Sequence, residues 1–185
     1  MSPPRSRLIC RASARRTPGV YLFGAVLVSA AAAAFLAASG ILHPRRSLFA
    51  DLPIRASFAS LGLFAVFFGG SAVAELLGAT VHKFFWDGAR HLFTIGFLTL
   101  LILAMSLRVV PAFTGKTLAH PRLAHVALAL VGAGAAIRAL QIPVALGWGG
   151  VPLYRMVGTA GLFVAAGIVL WGQVLVSTLR PARRG

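Results

Sequence analysis

Histidine is the residue of this sequence best suited to chemistry, and its five copies follow a pattern. His82 and His91 bracket one short polar stretch, while His43, His120 and His125 lie beside two others, each next to an apolar run. Imidazole is a common axial ligand of haem iron and also suits copper and other transition metals. Histidines placed at the ends of oily segments therefore point to a held haem or metal. His91 is the first candidate, and with His82 it forms the candidate metal pair. His43, His120 and His125 form a second group on the opposite face. Simple residence at a helix end accounts for any one of these histidines equally well. Arg90 adjoins His91, and Arg108, Lys116 and Arg122 accompany the second group. Such cations would pair with the propionates of a haem, or would snorkel to a membrane surface without one.

Glu75 is the single carboxylate inside an apolar run. An ionisable group in lipid is costly and is a functional candidate by default. It stands seven residues before His82, so a continuous helix would put both on one face. Arg138 is expected at similar depth. Two roles follow: a Glu75–Arg138 ion pair, or a proton-relay or redox-site role with His82. Beyond His91, a helix would carry Ile95, Leu98, Ile102 and Met105 along one stripe, aiming Met105 the same way as His91. Cys10 is the only cysteine. It allows no internal disulfide, no C-x-x-C zinc pair and no C-x-x-C-H haem attachment, so a haem would be held non-covalently.

The elements that must position these residues are set by composition. Of 185 residues, 58% are hydrophobic and 11% charged, with a mean hydropathy of +0.87. Soluble domains carry roughly 25% charged residues, so lipid is the solvent implied. The net charge of +15 would suit nucleic acid, but the basic residues sit in the tails and short loops, where anionic headgroups attract them. Nucleic acid is not an expected partner. A spanning helix needs about 20 apolar residues, and five runs qualify: Val20–Leu42, Ala56–Val81, Ala89–Val110, Leu123–Ile142 and Met156–Leu179. The intervening His43–Arg55, His82–Gly88, Pro111–Arg122 and Pro143–Arg155 are loops punctuated by proline and glycine. The fold expected is all-α, a polytopic up-and-down bundle of about five transmembrane helices. A basic tail over 1–19 precedes the transmembrane domain over 20–180, and 181–185 form a second basic tail. The arginine-rich start resembles a signal peptide, but its apolar run exceeds the usual 7–15 residues and is read as a retained span. Arginines at both ends conflict over orientation, and a sixth, re-entrant or partial segment around Ile142–Val151 would relieve the conflict. Gly132, Ala136, Gly158, Gly161 and Gly167 are candidates for close helix packing.

The segment from His91 through Thr94 and Gly96, then Met105 and Arg108, then Thr114, Gly115 and Lys116, resembles the NnrS family. These are haem- and copper-containing membrane proteins linked to the nitric-oxide response. In that family a helix opens as H-x-x-T-x-G, an M-x-x-R-x pattern follows towards its end, and a G-H-T-G-R loop comes next. The match covers about residues 86–140, with Lys116 in place of the final arginine and Phe113 in place of the loop histidine. The family's histidine-rich N-terminal motif is absent, and its members have about twelve spans, so the chain is similar to a half-length relative. The resemblance implies a b-type haem held by His91, with Arg108 in support. Copper, the family's other metal, is the weaker implication, because the loop histidine and the N-terminal motif are both missing.

Nothing resembles a nucleotide loop, a nucleophile elbow or a paired-carboxylate hydrolase site, so an independent enzyme is not expected. The first expectation is a haem-binding protein of the bacterial inner membrane, active in electron transfer or in handling nitric oxide or another diatomic gas. It would lie among lipid, other membrane subunits or a redox partner. The alternative is a non-catalytic scaffold subunit of a larger respiratory or photosynthetic complex. A transporter coupled through Glu75 is a third reading, but no paired discontinuous helices mark one.

Overall fold

A computed structural model of the protein describes residues 18–38, 48–148 and 150–180. Every regular element in them is helical: α1 (Pro18–Ala38), α2 (Leu48–Leu76), α3 (Lys83–His91), a π-helical segment (Leu92–Thr99), α4 (Leu100–Thr114), α5 (Pro121–Ala139), α6 (Gln141–Ala145) and α7 (Val151–Leu179). Four apolar stretches, Leu52–Leu76, Lys83–Thr114, Pro121–Ala145 and Val151–Leu179, are long enough to cross a membrane. The 21 residues of α1 reach about 30 Å at 1.5 Å per residue, the thickness of a hydrocarbon core. The chain is thus an all-α, multi-pass membrane protein.

Each consecutive pair of spans is antiparallel. Ser29 Oγ donates to the Ala65 carbonyl at 3.0 Å, tying α1 to α2. The Phe58–Phe97, Phe64–Phe93 and Phe68–Trp86 ring pairs run in opposite chain directions between α2 and the helix that follows. A Cβ on Gly134 would lie 2.5 Å from Val164 Cγ2, and one on Gly167 would lie 2.7 Å from Val131 Cγ2, so α5 and α7 meet backbone to backbone. Without a hydrophobic drive between helices in lipid, such close packing is what holds them. The helices form a row in which α1 packs chiefly on α2, and α7 chiefly on α5. Phe58, Leu100, Leu103, Val131, Trp171 and Val174 build the core.

Several boundaries differ from the sequence expectation. The second span ends at Leu76 rather than Val81. Gly78, at φ +81°, donates to the Glu75 carbonyl, and Ala79 donates to Ala74; this pair of bonds is a Schellman stop, which needs a left-handed residue. The stretch His82–Gly88 is mostly helix, because His82 Nδ1 accepts from Phe84 N at 3.2 Å and caps α3. The third span therefore runs the full 32 residues from Lys83 to Thr114. Among the described residues of Ile142–Val151, no re-entrant segment forms. The short α6 prolongs the fourth span, and a second stop at Gly147, φ +83°, ends it with Trp148 N bonded to the Pro143 carbonyl.

The π segment follows directly on His91. Its turns close with i→i+5 bonds and are wider than α turns, so residues beyond it rotate relative to those before it. Met105 accordingly falls out of register with His91: it is 44% exposed, whereas His91 is half-buried. The shared stripe expected from an unbroken α-helix does not form. Thr94 Oγ1 donates to the Arg90 carbonyl and Thr99 Oγ1 to the Thr94 carbonyl, satisfying acceptors that the wider turn displaces. Gly96 is buried against Ser60, whose Oγ would be 2.7 Å from an added Cβ. Three members of the sequence motif that opens at His91 thus stand in this irregular turn or directly before it.

Candidate functional site

Helix α3 presents two stripes to two neighbours. Asp87, Gly88 and His91 form the first, at i, i+1 and i+4, where α3 crosses the α5–α6 junction. A Cβ on Gly88 would meet Ile142 Cγ1 at 3.0 Å and Gln141 Cβ at 3.1 Å, so only a glycine admits α6 this closely. Arg138, one turn before Gln141, and Asp87, one turn before His91, both act electrostatically on the His91 imidazole. The His91 ring makes no hydrogen bond to another described residue. Gln141 is 3% exposed, and its Oε1 has no hydrogen-bond partner among the described residues. A half-buried imidazole, a carboxylate and a guanidinium thus act on one another at one end of the bundle, and the orphaned amide oxygen belongs to the residue that packs on Gly88.

The orphaned oxygen is itself diagnostic. An unmade buried hydrogen bond costs about 1–3 kcal/mol. Gln141→Met, close in volume and without the amide, is therefore expected to stabilise the isolated protein by about 1 kcal/mol. Thermal unfolding in detergent measures this; a loss of stability would mean that Oε1 receives a bond from a bound group in the purified protein.

The second stripe of α3, Trp86, Ala89 and Arg90, continues into Phe93 and Thr94. With Phe64 and Phe68 of α2 these residues line a partly enclosed cleft of about 300 Å³. Its rings pack on one another: Phe64 and Phe93 at 5.0 Å, Phe64 and Phe68 at 5.3 Å, Phe68 and Trp86 at 5.7 Å. Arg90 is exposed at its edge.

The other expected residues are spread. Glu75 is exposed in the last turn of α2, and no ion pair joins it to Arg138 among the described residues. Since α2 ends at Leu76, Glu75 and His82 do not share a helix face. His82 is exposed, with Nδ1 occupied as the α3 cap. On the opposite face, His120 and Arg122 line an open groove of about 570 Å³ at the start of α5, with Pro121, Leu123 and Val126. His125 Nδ1 lies 2.7 Å from the Pro121 carbonyl. A carbonyl only accepts, so Nδ1 carries the proton and Nε2 is left as the ligand-type nitrogen. Arg108 is exposed on α4, and Lys116 Nζ donates to the Arg180 carbonyl at 3.4 Å. His43 and Cys10 lie outside the described residues. Among the described residues, no three His, Cys, Asp or Glu side chains converge as a metal-holding group.

Asp87, Gln141 and the aromatic cleft have no place in the sequence reading. Asp87 stands four residues before His91, an i, i+4 pair, but only once the stretch after His82 is taken as helix. Gln141 looks like one polar residue at the end of a span, and only the α3–α6 crossing makes it buried. Comparison with known proteins finds no matching family model, no similar curated protein and no similar solved structure.

Proposed function

We propose that this chain is a multi-pass protein of a bacterial cytoplasmic membrane that holds a b-type haem through His91 and serves electron transfer or the handling of nitric oxide or another diatomic gas, as a relative of the NnrS family. The observation that carries the reading is His91 itself: a half-buried imidazole whose ring nitrogens bond no other described residue, set before a π turn and within electrostatic reach of Arg138. π turns occur frequently at functional sites. His91 would hold the iron, and Arg138 would offset propionate charge. The iron, when bound, supplies the one-electron or gas-binding chemistry. The chain's own part is to keep His91 out of bulk water and, through Asp87 and Arg138, to set the charge around it. Among the remaining histidines, His125 has a ring oriented by its backbone bond for a ligand role at the opposite face.

A cofactor-free subunit of a larger membrane complex is the second reading, and one observation favours it. Gly158, Gly161 and Gly172 of α7 face open space, and small residues on a spanning helix let another helix approach closely. The absorption spectrum of the purified protein separates the two. A Soret band that shifts on dithionite reduction is the result expected; a colourless, iron-free protein that purifies only with other membrane subunits would replace the first reading by the second.

A further inference from the structure

The cleft between α2 and α3 calls for a ligand of its own, distinct from anything held at His91 on the other stripe of α3. We propose that it binds a flat, lipid-soluble ring bearing a carbonyl or phenolate oxygen, a quinone-type headgroup. Its walls are Phe64, Phe68, Trp86 and Phe93, which already pack in tilted, stacked and edge-on pairs. Aromatic rings favour offset and edge-to-face partners with centroids roughly 4.5–7 Å apart, so a further ring gains geometry here that an acyl chain would not.

Arg90 is the only charged side chain in the lining, and no carboxylate pairs with it among the described residues. A guanidinium both stacks on aromatic faces and donates strongly to an oxygen. The Thr94 hydroxyl already donates to the Arg90 carbonyl, so its proton is not available to the ligand. The volume, about 300 Å³, stands at the small end of the roughly 300–1,000 Å³ range of ligand pockets, enough for a ring with its substituents. Both bordering helices are membrane spans, so the ligand would enter from the bilayer and leave its tail there. Phe93 and Thr94 belong to the π segment, which gives the cleft the same irregular backbone that borders His91. Binding here needs no haem, so failure of either proposal leaves the other standing.

The test uses the full-length protein in dodecyl maltoside and decylubiquinone as probe. Tryptophan fluorescence should be quenched saturably, and Trp86→Phe should remove the saturable part. Arg90→Gln should raise the apparent Kd at least tenfold with circular dichroism unchanged, and Arg90→Lys should recover part of the affinity. Quenching that rises without saturation, or that is the same in Arg90→Gln, would overturn the proposal. Displacement of the quinone by phosphatidylglycerol at low mole fraction, but not by phosphatidylcholine, would also overturn it and assign the cleft to an acidic phospholipid.

Discussion

If the proposed haem is held at His91, the protein purified as His91→Ala is expected to lack Soret absorption completely while keeping its helical circular dichroism. The expectation follows from the ring's situation. His91 makes no hydrogen bond to another described residue, so trimming it removes no structural bond, and it is half-buried rather than core. Iron coordination is what would be lost. His91→Gly with added imidazole should restore the band, which a packing role could not explain. His82→Ala and His125→Ala should keep the pigment, with at most a change of spin state. His82→Ala should also cost about 1 kcal/mol of stability, because Nδ1 caps α3. A His91→Ala protein with full haem content would remove His91 from the ligand set.

A second large effect is expected at the α5–α7 seam. Gly167→Leu should destabilise the protein by about 3 kcal/mol, the upper end of ordinary overpacking. The first added carbon would lie 2.8 Å from the Ala127 carbonyl oxygen and 3.2 Å from Val131 N. Both are backbone atoms of a helix and cannot move aside as a flexible side chain would. Gly134→Leu should behave alike, since Ala160 O and Val164 N stand at 3.0 and 3.2 Å. Gly158→Leu and Gly161→Leu supply the contrast, because nothing lies within 4 Å of an added Cβ at either position. Midpoints of thermal unfolding in detergent should fall for the first pair and hold for the second. Equal behaviour of all four would contradict the backbone contact between α5 and α7. The same four glycines also differ in association: only at Gly158 and Gly161 would a bulky side chain obstruct another subunit.

The spans could be recognised from the residues alone because hydropathy is a local sum. About 20 consecutive apolar residues satisfy a bilayer whatever their neighbours do, and short polar connections leave antiparallel order as the only economical path. The histidines could be singled out for a related reason, since each borders such a run. Helix ends were readable in principle at Gly78 and Gly147, where a left-handed glycine closes a Schellman stop, yet an apolar tail such as Gly78–Val81 hides the stop within a continuous hydrophobic stretch.

Register and partnership lay beyond such sums. Whether Met105 faces with His91 depends on the wider turns between them, which are paired with the close approach of Gly96 to Ser60 on another helix. Whether Asp87 is a loop residue or the neighbour of His91 depends on where α3 starts. Glu75 and Arg138, expected at one depth, are not joined, while Arg138 instead acts on His91 and Gln141 becomes an orphan in the seam. Composition sets how each segment meets lipid, since every segment meets it independently. Which polar groups meet one another is decided between helices, through contacts of a few ångströms that no single segment contains.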